Sequence, residues 1–373
     1  MGAAPTSKTF ARRAAARAAL LLAGVAIALG ATEAYLRISG LGSPTSGADV
    51  NLKWEPTSPY LQRTTLPATV FAPNYVGAQV YRSVVSGAEV HRVEVRTSAA
   101  GLRGPDADPA HRYPRVLGIG DSLTFGQGVE ENDTFLAVFG RQAPLRLEVL
   151  NAGVPSWNLA AEVAWLEELG WPLTPDLVLI CTYVNDVEAS VLLPPEGGDH
   201  PIRLLSPDWA EAATGLRSRS NLANLVGRHF DRARMARAVA AVKQSRRSPN
   251  TTYLEELRAS LDPAAIGAQY SALKSTCAAH AVPCIVVMLP VLVDGAADRG
   301  TDLVDHLARL ATEAGLPVVR VDRALDGLTP FDRFVLPADQ HPSRAAHAAI
   351  GRELAAELRG SHSLDELSRR AVE

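Results

Sequence analysis

Residues 118–129 read GIGDSLTFGQGV and place one serine, Ser122, among four glycines directly after the apolar pair Val116-Leu117. An apolar run that stops at glycines indicates a buried strand followed by a tight turn. Two phosphate-binding interpretations fail, because a P-loop needs a lysine and a dinucleotide fingerprint needs a third glycine where Leu123 stands. The nucleophile elbow G-x-S-x-G fails at Thr124. Ser122 is therefore a candidate nucleophile or a turn residue, depending on its partners.

Five short apolar runs, separated by helical patterns, follow from residue 115 onward. Such alternation predicts a parallel sheet covered by helices on both faces, which is a three-layer α/β/α domain. The predicted strands are Val116–Ile119, Leu145–Leu150, Leu177–Tyr183, Cys284–Leu289 and Val318–Val321, and the predicted helices lie near 133–141, 158–169, 263–281, 302–314 and 343–358.

Composition divides the chain into four predicted parts. Residues 1–39 form an N-terminal signal anchor or signal peptide, and residues 40–112 form a linker and a small β-rich lead-in. In the lead-in, Val90–Arg96 alternates apolar and charged residues with a period of two, as a half-exposed strand does. Residues 113–360 form the α/β domain with an insertion at 191–260, and residues 361–373 form a tail.

The N-terminus carries basic residues followed by the apolar segment AALLLAGVAIALGA at 18–31. This order is typical of a signal peptide or a single signal anchor, and the apolar flanks lengthen it enough to span a bilayer. We expect an uncleaved membrane anchor with its basic end in the cytoplasm and the rest of the chain extracytoplasmic. Cleavage after Ala26-Ile27-Ala28, followed by secretion, is the alternative.

The net charge and the histidine and cysteine content indicate which kinds of partner and cofactor to expect. The 373 residues carry a formal net charge of −3, so no global field favours nucleic acid. The histidines and the three cysteines form no metal or redox motif, and we predict no cofactor and no metal.

Cys181 is expected to be a buried free thiol, while Cys277 and Cys284 are either free or paired. The arginine-rich insertion indicates a solvated helix face or, alternatively, a surface for anionic lipid headgroups or an acidic polymer.

Further polar residues fall at the exits of later strands and at the entry to the last helix. The stretch NAGVPSWN (151–158) contains Gly153, YVNDV (183–187) contains Asn185, and DQHPS (339–343) contains His341. Such positions gather beyond the carboxyl ends of parallel strands. With GDSLTFGQGV (120–129), the four blocks resemble those of the GDSL, or SGNH, hydrolase family, from about residue 100 to 358 with the insertion poorly covered.

The resemblance implies a flavodoxin-like, five-stranded parallel sheet and a serine hydrolase that cleaves carboxylic esters through an acyl-enzyme. Ser122 would be the nucleophile, His341 the general base and Asp339 the acid that orients the imidazole. The backbone N–H groups of Ser122 and Gly153, with the side-chain amide of Asn185, would form the oxyanion hole.

Two positions depart from the family's usual pattern. Tyr183 stands where the third block usually has glycine, and Ala338 stands three residues before the histidine, where the family's acid most often lies. Asp339 is only two residues before His341. If Asp339 does not reach the imidazole, Ser122 and His341 would act as a dyad.

Other polar residues of these blocks are expected to have structural roles. Asp121 and Asp186 would brace their turns, Asn158 would cap a helix, and His347 would lie on a different face of the last helix from His341.

For the whole chain, three functions stay open. They are an esterase or deacylase of acylated cell-envelope glycans or lipids, an O-acyltransferase acting on a surface polysaccharide, and a non-catalytic glycan-binding module with the same fold.

Overall fold

The computed structural model describes residues 7–39, 50–62, 69–83, 88–187, 220–223, 225–226, 253–292, 300–336, 339–360, 364 and 367. The chain forms two compact units. One comprises residues 1–51, 82–90 and 201–247, and the other comprises residues 52–81, 91–200 and 248–373. Most of the predicted insertion at 191–260, including its arginine-rich stretch, and nearly all of the tail at 361–373 lie outside the described residues.

The first unit contains α1 (Ser7–Ser39), whose stretch Ala15–Ser39 is long and apolar enough to cross a membrane and is not buried in the structure. Length and composition make it a candidate membrane segment, and a signal sequence would pass the same test. Near its end, the Glu33 carboxylate accepts hydrogen bonds from Ser220 Oγ at 2.8 Å and from the backbone N–H of Leu222 at 2.9 Å.

The predicted β-rich lead-in is present. It contains a sheet of order β1-β4-β5, built from Val50–Glu55, Val76–Ser83 and Glu89–Arg96, and a pair formed by β2 (Tyr60–Gln62) and β3 (Thr69–Phe71). Along β5, Val93 and Val95 are buried while Glu94 and Arg96 are exposed, as the alternating pattern predicts.

The main domain is built on a five-stranded parallel sheet of order β10-β9-β8-β6-β7. Its strands are β6 (Arg115–Gly120), β7 (Glu148–Gly153), β8 (Leu177–Thr182), β9 (Cys284–Met288) and β10 (Val318–Arg320). Renumbered within the sheet, this is the flavodoxin-like order 2-1-3-4-5. Every residue of β6, β8 and β9 is buried, because helices cover both faces. The predicted α/β fold class is thereby confirmed.

Helices alternate with these strands, and side-chain caps mark several of their starts. They are α2 (Ser122–Phe125), α3 (Phe135–Gln142), α4 (Leu159–Trp165), α5 (Tyr253–Ser260), α6 (Pro263–Ala279), α7 (Thr301–Glu313), α8 (Pro330–Arg333) and α9 (Arg344–Leu358). Helix α3 packs against α9, whereas α4 packs against α6 and α6 against α7. A short hairpin of β11 (Phe334–Leu336) and β12 (Asp339–Pro342) precedes α9.

All three cysteines are buried free thiols. Cys181 lies in the core of β8, as predicted. The neighbouring thiol of Cys277 and, after it, burial raise the pKa of Cys284. The two cysteines therefore approach each other without forming a disulfide in this structure.

Candidate active site

Ser122 lies where β6 ends and the one-turn helix α2 begins. Asp121 caps this helix, because its Oδ1 accepts the backbone N–H of Leu123 at 2.8 Å. A Cβ on Gly120 would lie 2.1 Å from Thr124 Oγ1, so close packing requires glycine before the cap. The bend places the Ser122 side chain at the carboxyl end of the sheet, where the residue is 9% exposed.

Ser122, His341 and Asp339 form one continuous set of hydrogen bonds. Ser122 Oγ and His341 Nε2 are 2.8 Å apart, and His341 Nδ1 and Asp339 Oδ1 are 2.5 Å apart. Asp339 Oδ1 also accepts the backbone N–H of His341 at 3.0 Å. The acid two residues before the histidine therefore reaches the imidazole. With Nδ1–H donated to the carboxylate, Nε2 is the acceptor for the Ser122 hydroxyl.

The Asp339 carboxylate is charged although its side chain is only 12% exposed. Burial raises its pKa, but the hydrogen bonds and the positive charge of His341 outweigh burial and lower the pKa of Asp339 to about 2. A carboxylate that is ionised at neutral pH stabilises an adjacent imidazolium. The pair is therefore suited to hold a proton taken from a hydroxyl.

Asn185 contacts the residue before the serine. Its Nδ2 donates to Asp121 Oδ2 at 2.9 Å, and because an amide carries two N–H hydrogens, one further donor is left. Ser122 N–H, at the first position of α2, has no hydrogen-bond partner among the described residues. These two groups are the donors near Ser122 that could bind an oxyanion.

Gly153 lies beside the nucleophile's strand, paired with Gly120 across β6 and β7. Its N–H donates to Asn151 Oδ1 at 2.9 Å, so the predicted oxyanion donor already has a partner. A Cβ on Gly153 would lie 2.1 Å from the backbone nitrogen of Phe125. The close approach of α2 therefore explains the glycine, and its N–H reaches a substrate only if Asn151 releases it.

The turn after β8 is braced as the sequence predicts. Asp186 Oδ2 accepts the backbone N–H of Tyr183 at 2.8 Å. Tyr183, where glycine is usual, is buried, and its Oη accepts the backbone N–H of Leu292 at 3.1 Å. Tyr183 therefore links the turn after β8 to the segment that follows β9.

The expected cap at Asn158 and the structural role of His347 agree with the contacts, but His341 lies on β12 and not on the last helix. Asn158 caps α4, since its Oδ1 accepts the backbone N–H of Ala161 at 3.1 Å. His347 is fully buried on α9, where its Nδ1 accepts the backbone N–H of Phe135 at 3.1 Å. Burial, followed by the charges of Arg103 and His341, lowers the pKa of His347 to about 3, so this histidine is neutral.

Arg103 bonds to the glycine-rich bend, which is the stretch of residues 118–129. No sequence motif marks this arginine. Its Nη1 donates to the carbonyls of Phe125 and Gly126 at 2.5 and 2.6 Å, and its Nη2 to that of Val129 at 2.5 Å. The guanidinium also lies 4.3 Å from the centroid of the Phe125 ring. Its acceptors lie 22 to 26 residues further along the chain, so the local stretch GLRGP (101–105) gives no signal of this contact.

Glu162 on α4 is a fully buried carboxyl behind the site. Neither of its oxygens has a hydrogen-bond partner in the described part of the chain. Burial, reinforced by the charges of Asp186 and Asp121, raises the pKa of Glu162 well above its ordinary value, which favours its protonated form. Over the described ranges, no set of three or more His, Cys, Asp or Glu side chains is arranged to hold a metal ion.

The chain was compared with protein families and with solved structures. The chain resembles an α/β hydrolase from the metagenome of Lake Arreo, Spain (19% identity, TM-score 0.39, 65% of this chain and 94% of that one). It also resembles a lipase/acylhydrolase from Enterococcus faecalis (14%, 0.39, 66% and 96%) and a variant of an acetyl-xylooligosaccharide esterase from Geobacillus (19%, 0.36, 66% and 94%). No curated protein matches the sequence at a significant level. The model of the GDSL-like lipase/acylhydrolase family matches residues 119–349, which is more than half of the chain, and the chain therefore belongs to that family of ester hydrolases.

Proposed function

We propose that the protein is a serine esterase or deacylase in which Ser122 is the nucleophile, His341 the general base and Asp339 the orienting acid. The observation that carries this proposal is the 2.8 Å contact between Ser122 Oγ and His341 Nε2, continued by the 2.5 Å contact between His341 Nδ1 and Asp339 Oδ1. A neutral hydroxyl is a weak nucleophile, and both distances fall within the range in which a base activates it.

The reaction proceeds in two halves. Ser122 Oγ attacks the ester carbonyl while its proton passes to His341 Nε2, and Asp339 stabilises the imidazolium. The proton then leaves with the alcohol as the acyl-enzyme forms. In the second half, His341 takes a proton from a water molecule, whose oxygen attacks the acyl carbonyl. The bond between the acyl carbon and Ser122 Oγ then breaks, His341 returns the proton to Oγ, and the acid is released.

The tetrahedral oxyanion is held by Ser122 N–H and by the Asn185 amide, whose contact with Asp121 leaves one hydrogen available. Removing one such donor typically costs about 2.7–4 kcal/mol of transition-state stabilisation. Gly153 N–H stays a predicted third donor, and its use requires the bond to Asn151 Oδ1 to open.

The substrate is an ester carried by a cell-envelope glycan or lipid. The apolar stretch of α1 supports this proposal, because it would keep the catalytic domain at the extracytoplasmic face of a membrane. An acyl-enzyme can also pass its acyl group to a sugar hydroxyl. Supplying an acyl donor with and without a surface polysaccharide, and following the acyl group into water or into sugar, distinguishes hydrolysis from O-acyl transfer.

The decisive experiment is Ser122→Ala, tested on p-nitrophenyl esters of increasing acyl length. We expect a loss of at least about 10³-fold in kcat, since only binding and oxyanion stabilisation survive removal of a nucleophile. The matched control is Ser271→Ala, which removes an exposed serine hydroxyl from α6 that bonds only within its own helix. Equal turnover by wild type and Ser122→Ala would reject the nucleophile, and a wild type inactive on every ester and acceptor would favour a glycan-binding module.

A further inference from the structure

The lead-in sheet bonds to both backbone polar groups of one residue in the glycine-rich bend, Gly128. Gln79 Oε1, from β4, accepts the backbone N–H of Gly128 at 3.0 Å, and His91 Nε2, from β5, donates to the Gly128 carbonyl at 2.7 Å. A segment outside the four family blocks therefore fixes the position of residue 128.

The neighbouring Gln127 links this bend to the acid and the base. Its Nε2 lies 3.4 Å from Asp339 Oδ2 and 3.1 Å from His341 Nδ1. Because Nδ1 already donates its hydrogen to Asp339 Oδ1, the amide donates to Oδ2. A bond of 3.4 Å is long and satisfies that oxygen only weakly.

Tyr81, on β4, reaches the same bend, because a Cβ built on Gly128 would lie 2.8 Å from its hydroxyl oxygen. It is 1% exposed, and its hydroxyl has no hydrogen bond of good geometry to any described residue. Burial and, after it, the charge of Asp339 raise the pKa of Tyr81. A buried hydroxyl without a partner is unfavourable, and a carboxylate oxygen with one weak donor is the acceptor that would satisfy it.

We propose that Tyr81 is a positioning residue for Asp339, whose second oxygen accepts the Tyr81 hydroxyl while the first holds the imidazole of His341. This inference rests on the proposed esterase function. The β-rich lead-in then helps to position the catalytic acid. With Asp339 Oδ2 held by Tyr81, Asp339 Oδ1 keeps its direction towards His341 Nδ1 during proton transfer.

The test is Tyr81→Phe, which removes one oxygen and keeps the ring in the core. With p-nitrophenyl acetate we expect kcat to fall about five- to twentyfold with KM within about twofold, as for an interaction made in the transition state. The acid limb of the pH–kcat/KM profile should move to higher pH, since a carboxylate that has lost a donor stabilises the imidazolium more strongly. The matched control is Tyr75→Phe, which removes a lead-in hydroxyl bonded to the carbonyls of Glu55 and Thr57; its kinetics should equal those of the wild type.

A double-mutant cycle separates positioning from a general loss of structure. In an Asp339→Asn background, Tyr81→Phe should change kcat by less than about twofold, because the two residues act on the same proton transfer. The inference is overturned if Tyr81→Phe has wild-type kcat and pH profile, or if its effect is equally large in the Asp339→Asn background. Failure of the esterase proposal itself is recognised separately, by undiminished turnover in Ser122→Ala.

Discussion

Replacing Arg103 with methionine should destabilise the protein through the glycine-rich bend. The methionine fills much of the volume of the arginine stem and removes three charge-assisted bonds, to the carbonyls of Phe125, Gly126 and Val129. At about 2 kcal/mol for each bond to a charged group, the loss is roughly 6 kcal/mol. Against this, burial lowers the pKa of Arg103 from 12.5 to about 10, so the variant avoids burying a charge and loses less than the three bonds alone would give.

The net expectation for Arg103→Met is a loss of roughly 3 kcal/mol in the free energy of unfolding, or roughly 6–12 °C in Tm. The assay is urea unfolding of the detergent-solubilised chain, followed by circular dichroism, beside a thermal scan. Arg103→Lys should lie between wild type and Arg103→Met, because one ammonium cannot reach all three carbonyls. The matched control is Arg352→Met, which removes an exposed arginine from α9.

A difference below about 1 kcal/mol between Arg103→Met and Arg352→Met would refute this reasoning. It would mean that water or a rearranged bend satisfies the three carbonyls as well as the guanidinium does. Ester turnover should fall in Arg103→Met even well below its Tm, since the clamped bend carries Gln127 against Asp339 and His341.

Three further outcomes are expected. In the unfolded chain Glu162 has its ordinary pKa of 4.5, whereas burial raises its pKa in the folded protein. The folded state therefore binds the proton more tightly, and the free energy of unfolding falls as pH rises from about 4.5. Thermal scans should thus show the advantage of Glu162→Gln growing from pH 4.5 to 7, and a constant difference would contradict the burial argument. Ellman's reagent should find no reactive thiol in the folded protein and three after denaturation, whereas a single thiol would indicate a disulfide between Cys277 and Cys284. Intact mass of membrane-extracted protein should include residues 1–31, and a mature N-terminus near residue 29 would indicate cleavage instead.

The sheet could be predicted because its strands are short apolar runs with helices between them. The five predicted strands match the observed ones to within a few residues, and the largest error is at β7, predicted as Leu145–Leu150 and observed as Glu148–Gly153. There, Asn151-Ala152-Gly153 continues the ladder beside β6. Asn151 is polar, so the predicted apolar run stops before it. In the structure the Asn151 amide donates to the carbonyl of Thr124, and this bond allows a polar side chain to be buried within the strand.

The sequence predicts only those residues of the candidate site that lie in a recognisable local pattern. Strand exits and helix entries mark Ser122 and His341 as candidates, and the resemblance to the GDSL family implies their roles. The cap at Asn158 follows from its position before an apolar helix. Arg103 and Tyr81 could not be recognised, because their partners come from distant parts of the chain and only the folded backbone sets the directions of their side chains. For the same reason, the sequence could not show that Asn151 takes the N–H of Gly153.

Asp339 and His341 are alternate residues of the short strand β12, and their side chains leave the same face of it. The local backbone of β12 therefore brings the two side chains together, and contacts from Gln127 act on the same pair. If the hairpin of β11 and β12 shifts, acid and base travel together and keep their contact. The only separation within the triad that such a shift changes is the 2.8 Å between His341 Nε2 and Ser122 Oγ. The hairpin therefore carries acid and base as one unit, and its position relative to α2 sets the distance across which the serine is activated.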